Sequence, residues 1–237
     1  MLRFFQKNIA SYFNGFIHLF YPQICLHCGS ENLTKLVLCE SCFLKLPFSQ
    51  FFSLQQNAIE KIFWGRIKIG PSGAALFFTK DSIVQLLIFE LKYKKNKKAG
   101  WLLGNIIGDA FIESGQFELI DYMIPIPIRA GKERKRGFNQ SYIICEGIFQ
   151  RFPIPILQNV LVKNKDIGTQ THKDRMQRGK NSATLFTLKN EQMIVEKGIL
   201  LVDDVITTGA TLEAACICLQ RGQPRQIQLA AAAYTLT

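Results

Sequence analysis

The stretch Gly198-Ile-Leu-Leu-Val-Asp-Asp-Val-Ile-Thr-Thr-Gly-Ala-Thr-Leu212 constrains this chain more than any other. Behind Gly198 it opens with an unbroken apolar run, Ile199 to Val202, the pattern of a strand buried on both faces of a parallel sheet. Two carboxylates, Asp203 and Asp204, follow directly, then the small hydroxyl-rich run Thr207-Thr208-Gly209-Ala210-Thr211, then a helical segment from Leu212 to Leu219. Strand, acid pair, small loop and helix in that order predict an α/β fold with a ligand site at the carboxyl end of a strand. A helix N-terminus presents unbonded N–H groups and partial positive charge, which suits a phosphate. Thr207, Thr208 and Thr211 would add hydroxyl donors, and Gly209 would let the backbone approach closely. The carboxylates would repel that phosphate. An ionised carboxylate accepts O–H bonds, so the pair suits a neighbouring diol. A diol beside a phosphate describes a ribose 5-phosphate.

The chain has seven cysteines, an odd number, and four are tightly spaced. Cys25-x2-Cys28 and Cys39-x2-Cys42 put two thiolates on each of two tight turns, which together close a tetrahedron around zinc. Four cysteine ligands leave no open position, so the expected role of Zn2+ is structural. His27 is a spare ligand that four cysteines make unnecessary. Asn32 to Leu38 alternates enough for a hairpin between the pairs. Cys145, Cys216 and Cys218 lie in apolar helical contexts and read as small buried fillers. His18 and His172 show no ligand spacing.

Residues 1–24 are apolar and aromatic, yet Gln6, Lys7, Asn8, Asn14 and His18 interrupt them, no small-residue cleavage site follows, and no stretch approaches a membrane span. Phe4, Ile9, Phe13, Phe16 and Phe20 recur at helical spacing. They predict an amphipathic helix docked on protein, with peripheral membrane contact as the alternative. The expected organisation is this helix, a zinc module over 25–46, an irregular connection over 47–73 and an α/β domain over 74–237. In that domain the predicted strands near 119, 159, 199 and 226 form a doubly wound parallel core.

The 29 basic residues outnumber the 18 acidic ones, a net charge of +11, which points to polyanionic partners: phosphorylated metabolites, nucleic acid or acidic membrane. Basic residues cluster in three segments. Lys92, Lys94, Lys95, Lys97 and Lys98 follow a buried helix over 81–93 and read either as a solvated helix end or as a nucleic-acid contact. Pro125-Ile-Pro-Ile-Arg129-Ala-Gly-Lys132-Glu-Arg134-Lys135-Arg136 leaves a strand over 119–124 as a basic loop. Its Arg129, Ala130, Lys132 and Arg136 suit a pyrophosphate, arginine supplying bidentate donors. The third segment, Lys163 to Asn181, is a long polar connection of the kind that often serves as a lid. Single-strand binders add stacking aromatics, and Tyr93 and Phe138 lie beside these clusters.

The 198–212 stretch resembles the phosphoribosyl-pyrophosphate (PRPP) motif of type I phosphoribosyltransferases, with both acids and the Thr-Thr-Gly-Ala-Thr loop intact. The Pro125-x-Pro127 run, its basic continuation and Arg136-Gly-Phe-Asn-Gln140 resemble the signature of the ComF family of competence-associated proteins. The four-cysteine module behind an aromatic helix, Glu90-Leu-Lys-Tyr93 and the segment from Gln170 to Arg178 fit that family too. His172-Lys173 departs from it, standing where small or apolar residues are expected. The resemblance implies a phosphoribosyltransferase-like fold in which Asp203 and Asp204 hold the ribose hydroxyls and Thr207, Thr208, Gly209, Ala210 and Thr211 hold the 5-phosphate. Mg2+ would accompany PRPP, and Lys173 or Arg175 would close over the reacting centre.

Two functions follow. One is an enzyme that displaces pyrophosphate from the ribose anomeric carbon of PRPP toward an acceptor that the sequence does not name. The other is a cytoplasmic binding module of natural transformation that handles incoming single-stranded DNA and meets other competence proteins.

Overall fold

The computed structural model describes residues 24–31, 33–117, 119–164 and 185–236. The chain divides into two compact units, Met1–Leu46 and Pro47–Thr237. The amphipathic helix expected before Cys25 lies outside the described residues apart from Ile24. So does the greater part of the expected lid, with Lys173 and Arg175. Among the described residues no helix is long and apolar enough to cross a membrane.

In the first unit a turn runs from Cys25 to Ser30, closed by Gly29 N to Cys25 O (2.9 Å) and Cys25 N to Ser30 O (2.7 Å). A bridge between Lys35 and Leu38 makes the expected hairpin, tight enough that Leu36 turns through a φ of 55°. Helix α1 (Glu40–Phe43) starts from Cys39, so the second cysteine pair spans a helix start.

The second unit is built on four parallel strands in the order β1 (Ser72–Phe78), β6 (Gln226–Thr235), β5 (Gly198–Ile206) and β2 (Tyr122–Pro125). The central pair reads as the sequence suggests: Ile199 to Val202 and Ala230 to Ala233 are fully buried. Runs of alanine in β6 let elements close on both faces. Successive strand residues point to opposite faces. Ile199, Leu201, Ile227, Leu229 and Ala231 share one core with Ile59 and Phe63 of α2 (Ala58–Phe63) and Leu212, Ala215, Cys216 and Leu219 of α7 (Ala210–Gln220). On the other side lie α3 (Ile83–Tyr93), α4 (Lys97–Ser114) and α6 (Gln140–Arg151), the last packed on α4, β5 and β2. Cys145, Cys216 and Cys218 are buried fillers as expected.

The structure corrects four expectations. The supposedly irregular connection holds α2, whose Ile59 and Phe63 enter the core. Asn57 caps it, accepting from Ile59 N and Glu60 N, while its Nδ2 donates to Phe51, Leu54 and Ser72 carbonyls. An asparagine before an apolar i, i+4 pair was a legible helix start. The strand expected over 159–162 does not join the parallel sheet. Ile156 makes a single parallel bridge to Met123, and β3 (Leu161–Lys163) pairs antiparallel with β4 (Phe186–Leu188). The strand expected over 119–124 is Tyr122–Pro125; Leu119 is two-thirds exposed. The basic loop is a helix, α5 (Ala130–Arg136), ended by Gly137 at φ 88°. Its Lys and Arg residues are good helix formers. Glu133 in its first turn and Arg134, Lys135 and Arg136 in its last complement the dipole.

Candidate functional site

The chain passes from β2 through α5 and α6 to the outer side of β2, and from β5 through α7 to β6 on the opposite side. The winding direction therefore reverses between β2 and β5. In an open α/β sheet the crevice at the carboxyl ends of such a strand pair is where ligands bind. Asp203 and Asp204 lie near the carboxyl end of β5 at that crevice, followed by Val205 and Ile206, and Arg129 and α5 follow β2 beside it.

Asp203 Oδ1 accepts from Ser141 Oγ in the first turn of α6 (3.3 Å) and from the Asp204 backbone N–H (2.8 Å). Burial, then the Asp204 carboxylate, push the Asp203 carboxyl up to about 7. Asp204 Oδ2 is paired with Lys92 Nζ at 2.8 Å. Thr207, Thr208, Ala210 and Thr211 are exposed around the N-terminus of α7, which no described side chain caps. Gly209 is the exception. It sits at φ 75°, and a Cβ there would lie 2.8 Å from Ile62 Cγ2 and 3.0 Å from Phe63 Cζ. The loop thus needs glycine for its left-handed turn and its contact with α2, a reason other than the close ligand approach expected from sequence.

The basic residues form two clefts on either side of α5. Arg129, Ala130 and Lys132 line one, about 720 Å³, with Val162, Lys163 and Thr187 of the β3–β4 pair. Lys132 also lines the other, about 320 Å³, with Lys92, Tyr93, Lys95, Lys135 and Arg136. Arg136 Nη1 donates to Gln140 Oε1 at 2.7 Å, and its guanidinium lies 5.7 Å from the Tyr93 ring centre. The four residues expected to share a pyrophosphate are thus divided, with Arg136 in the second cleft. Lys92 is ion-paired, Lys94 and Lys95 lie between α3 and α4, and Lys97 and Lys98 open α4.

Phe138 is buried, with Lys97 Nζ 5.6 Å from its ring, so it offers no stacking face. The sequence reading missed Phe89, one helical turn before Tyr93. The two rings lie 5.2 Å apart and both are exposed, beside the second cleft. An i, i+4 aromatic pair ahead of a lysine run was the available signal.

In the first unit the Cys25, Cys28, Cys39 and Cys42 sulfurs lie within 4.8 Å of one another. Tetrahedral zinc–sulfur bonds need sulfurs about 3.8 Å apart, so the cluster fits a metal ion. Burial raises the Cys25 thiol, but backbone N–H groups of Cys28, Cys39 and His27 outweigh it and bring it down to about 6. Burial and the three neighbouring cysteines push Cys42 up to about 12. The fourth thiolate is thus the costly one until a cation shares the site. His27 Nδ1 lies 3.3 Å from Cys42 Sγ, where a ring N–H can support that thiolate.

The raised Asp203 gives a pH prediction. Its folded-state value lies above the ordinary 3.8, so proton uptake stabilises the fold fully below about pH 4, and that contribution is lost as pH rises through about 7. Asp203→Asn stays neutral. Relative to wild type it should gain stability across that window, to on the order of 2 kcal/mol. Thermal melts of both proteins at about pH 5 and about pH 8 check this. An equal difference in Tm at the two pH values refutes it.

The family model of the phosphoribosyl transferase domain matches residues 142–236, from α6 through the acid pair and α7 to the end of β6. Competence protein F of Haemophilus influenzae is 27% identical over 208 residues, covering 86% of this chain and 82% of that protein. DNA utilization protein YhgH of Escherichia coli K12 is 23% identical over 205 residues, 84% of this chain and 85% of that protein. Competence protein ComFC of Bacillus subtilis is 31% identical over 97 residues, 41% of this chain and 37% of that protein. Among solved structures, glutamine PRPP amidotransferase from B. subtilis, complexed with ADP and GMP, matches with a TM-score of 0.43 and 16% identity, covering 61% of this chain and 30% of that one. A parallel sheet, a four-cysteine N-terminal cluster, a match to the phosphoribosyl transferase domain model over residues 142–236 and competence and DNA-utilization relatives along most of the sequence agree: the chain is similar to the phosphoribosyltransferase-like ComF proteins.

Proposed function

We propose that the crevice between β2 and β5 binds PRPP, or another ribose 5-phosphate compound, in a protein that handles single-stranded DNA during natural transformation. One observation carries the reading: the adjacent carboxylates Asp203 and Asp204 lie near the carboxyl end of a buried strand at the sheet's reversal point, with Val205 and Ile206 between them and exposed threonines at a helix N-terminus that no described side chain caps. The carboxylates accept from the ribose diol. Thr207, Thr208, Thr211 and the first N–H groups of α7, from Ala210 onward, hold the 5-phosphate, with Gly209 shaping the turn. Arg129, Ala130 and Lys132 receive the pyrophosphate. Mg2+ carried on the pyrophosphate of PRPP would neutralise part of its charge. Lys173 and Arg175 would complete the site from outside the described residues. In the first unit, the cysteine cluster holds structural zinc.

The DNA role draws on the competence and DNA-utilization relatives and on the second cleft. There Lys95, Lys132, Lys135 and Arg136 offer phosphate contacts beside the exposed Phe89–Tyr93 pair. Cations along a backbone path with aromatic faces for bases are what a single strand requires. The other reading, an active phosphoribosyltransferase, is favoured by one feature. The cleft of about 720 Å³ beside Arg129 leaves room for an acceptor against the β3–β4 pair. The protein would then position the reactants and stabilise the departing pyrophosphate charge.

Calorimetric titration with PRPP, ribose 5-phosphate and pyrophosphate, Mg2+ present, tests the site. Hydrogen bonds to charged groups are worth about 1.5–3 kcal/mol. Asp203→Asn and Asp204→Asn should therefore bind PRPP roughly ten- to hundredfold more weakly. Thr208→Ala should weaken PRPP and ribose 5-phosphate alike. Pyrophosphate, which has no diol, should not respond to Asp203→Asn. A wild-type protein that ignores PRPP refutes the site, and PRPP binding without turnover over a panel of nucleobases removes the transferase reading.

A further inference from the structure

Lys92 belongs to two sites at once. It leaves the last turn of α3, its Nζ lies 2.8 Å from Asp204 Oδ2, and the same residue lines the second basic cleft with Tyr93, Lys95, Lys132, Lys135 and Arg136. The pair is mostly shielded from water, with side-chain exposures of 23% and 14%, so the attraction is less screened than on an open surface. Among the described residues no carboxylate lines that cleft. The nearby Glu90 is engaged by the Asn96 amide at 3.3 Å. Among the described residues Asp204 is therefore the counter-charge of Lys92, and Asp204 is one of the two carboxylates offered to a ribose diol. A ligand on Asp204 and an anionic strand in the cleft compete with this ion pair from opposite ends.

We propose that Lys92 is a latch that couples the two sites. While the acid pair is empty, Asp204 withholds Lys92 from the cleft. A ribose diol that takes the Asp204 oxygens releases the ammonium, and the cleft gains one cation for a polyanion. The coupling is reciprocal: a strand that draws Lys92 into the cleft frees Asp204 and strengthens ribose-phosphate binding by the same factor. The sugar-phosphate site thereby sets how firmly the chain holds a single strand. This inference rests on the ribose-phosphate reading of the acid pair.

The test uses the full chain, a fluorescent oligothymidylate and ribose 5-phosphate, which carries diol and 5-phosphate but no pyrophosphate to fill the cleft. One additional phosphate contact on a single strand steepens the salt slope by about 0.7, which is about fivefold in affinity at roughly 0.1 M salt. Saturating ribose 5-phosphate should produce that gain and steepening in wild type. Asp204→Asn should show both without any sugar phosphate. Lys92→Gln should show neither, and neither should the double variant. A gain that persists in the double variant would come from lost negative charge alone and overturns the latch. So does an Asp204→Asn protein with wild-type affinity and slope, and so does a chain that binds no oligonucleotide in any form. Wild-type protein that ignores ribose 5-phosphate overturns the site reading instead, and the comparison of Asp204→Asn with the double variant still decides the latch.

Discussion

Cys39→Ser is expected to strip the N-terminal unit of its metal and unfold it. The purified wild-type chain should carry about one zinc, held by Cys25, Cys28, Cys39 and Cys42, whose sulfurs already lie within 4.8 Å of one another. Structural zinc in small modules carries on the order of 10–16 kcal/mol of apparent binding energy, and that energy is folding energy. Among the described residues the unit has few other sources: a one-turn helix, a tight hairpin and a few buried apolar side chains. Burial first, then hydrogen bonding with the three neighbouring cysteines and last the Cys25 charge push Cys42 up to about 12. A bound ion would stabilise the thiolates, and its binding should release protons and weaken as pH falls. His27→Ala is the milder companion. It removes the ring beside Cys42 Sγ and should speed loss of zinc to a chelator about tenfold while the unit still folds with metal bound. Elemental analysis and a chelator-release assay check both variants, and wild-type protein that carries no zinc when freshly purified under reducing conditions refutes the assignment.

Local signals told most where the chemistry is local. The acid pair, the threonine loop and the parallel strand before them lie within a few residues, so composition and order alone placed the crevice. The paired cysteines did the same for the metal cluster. Failures came where two distant segments decide the outcome. Nothing near Lys92 announces Asp204, and nothing in either basic segment says that Lys95 and Arg136 line one cleft; the sheet order brings them together. The core strand predicted near 159 failed for a related reason. Leu161 to Lys163 is apolar enough for a parallel edge, but its partner, Phe186 to Leu188, is three residues long and carried no strand signal of its own. The basic run after Pro127 was read as a loop because charge was weighed above helix propensity, although Glu133 before Arg134 to Arg136 is dipole-matched ordering. Aromatic residues next to charge were easy to see in the sequence, but their exposure was not. Phe138 is turned inward and Phe89 outward, a difference that only the packing around each decides.

Gly104→Ala is expected to destabilise the α/β domain although alanine is the better helix former by about 1 kcal/mol. Helices α4 and α6 approach through Gly100, Gly104 and Gly108 on one and Gly147 on the other. A Cβ at Gly104 would collide with the Ile144 carbonyl oxygen and stand 2.7 Å from Gly147 Cα and 2.8 Å from Ile148 N. These are backbone atoms, which cannot rotate away as a side chain could. The helices would have to part, losing tight packing along their shared face. Overpacking of this kind costs about 1–3 kcal/mol and more where backbone must move, so a net loss of roughly 2–4 kcal/mol is expected, and Gly104→Val should prevent stable folding. Gly131→Ala is the control. Gly131 lies inside α5, and a Cβ added there would meet no atom within 4 Å, so this variant should gain up to about 1 kcal/mol. The consequence reaches the crevice, because α6 carries Ser141 to Asp203 and α4 begins where the lysine run ends. Urea unfolding of the three variants decides the matter: Gly104→Ala with a midpoint at or above wild type would mean the helices are not held at glycine distance.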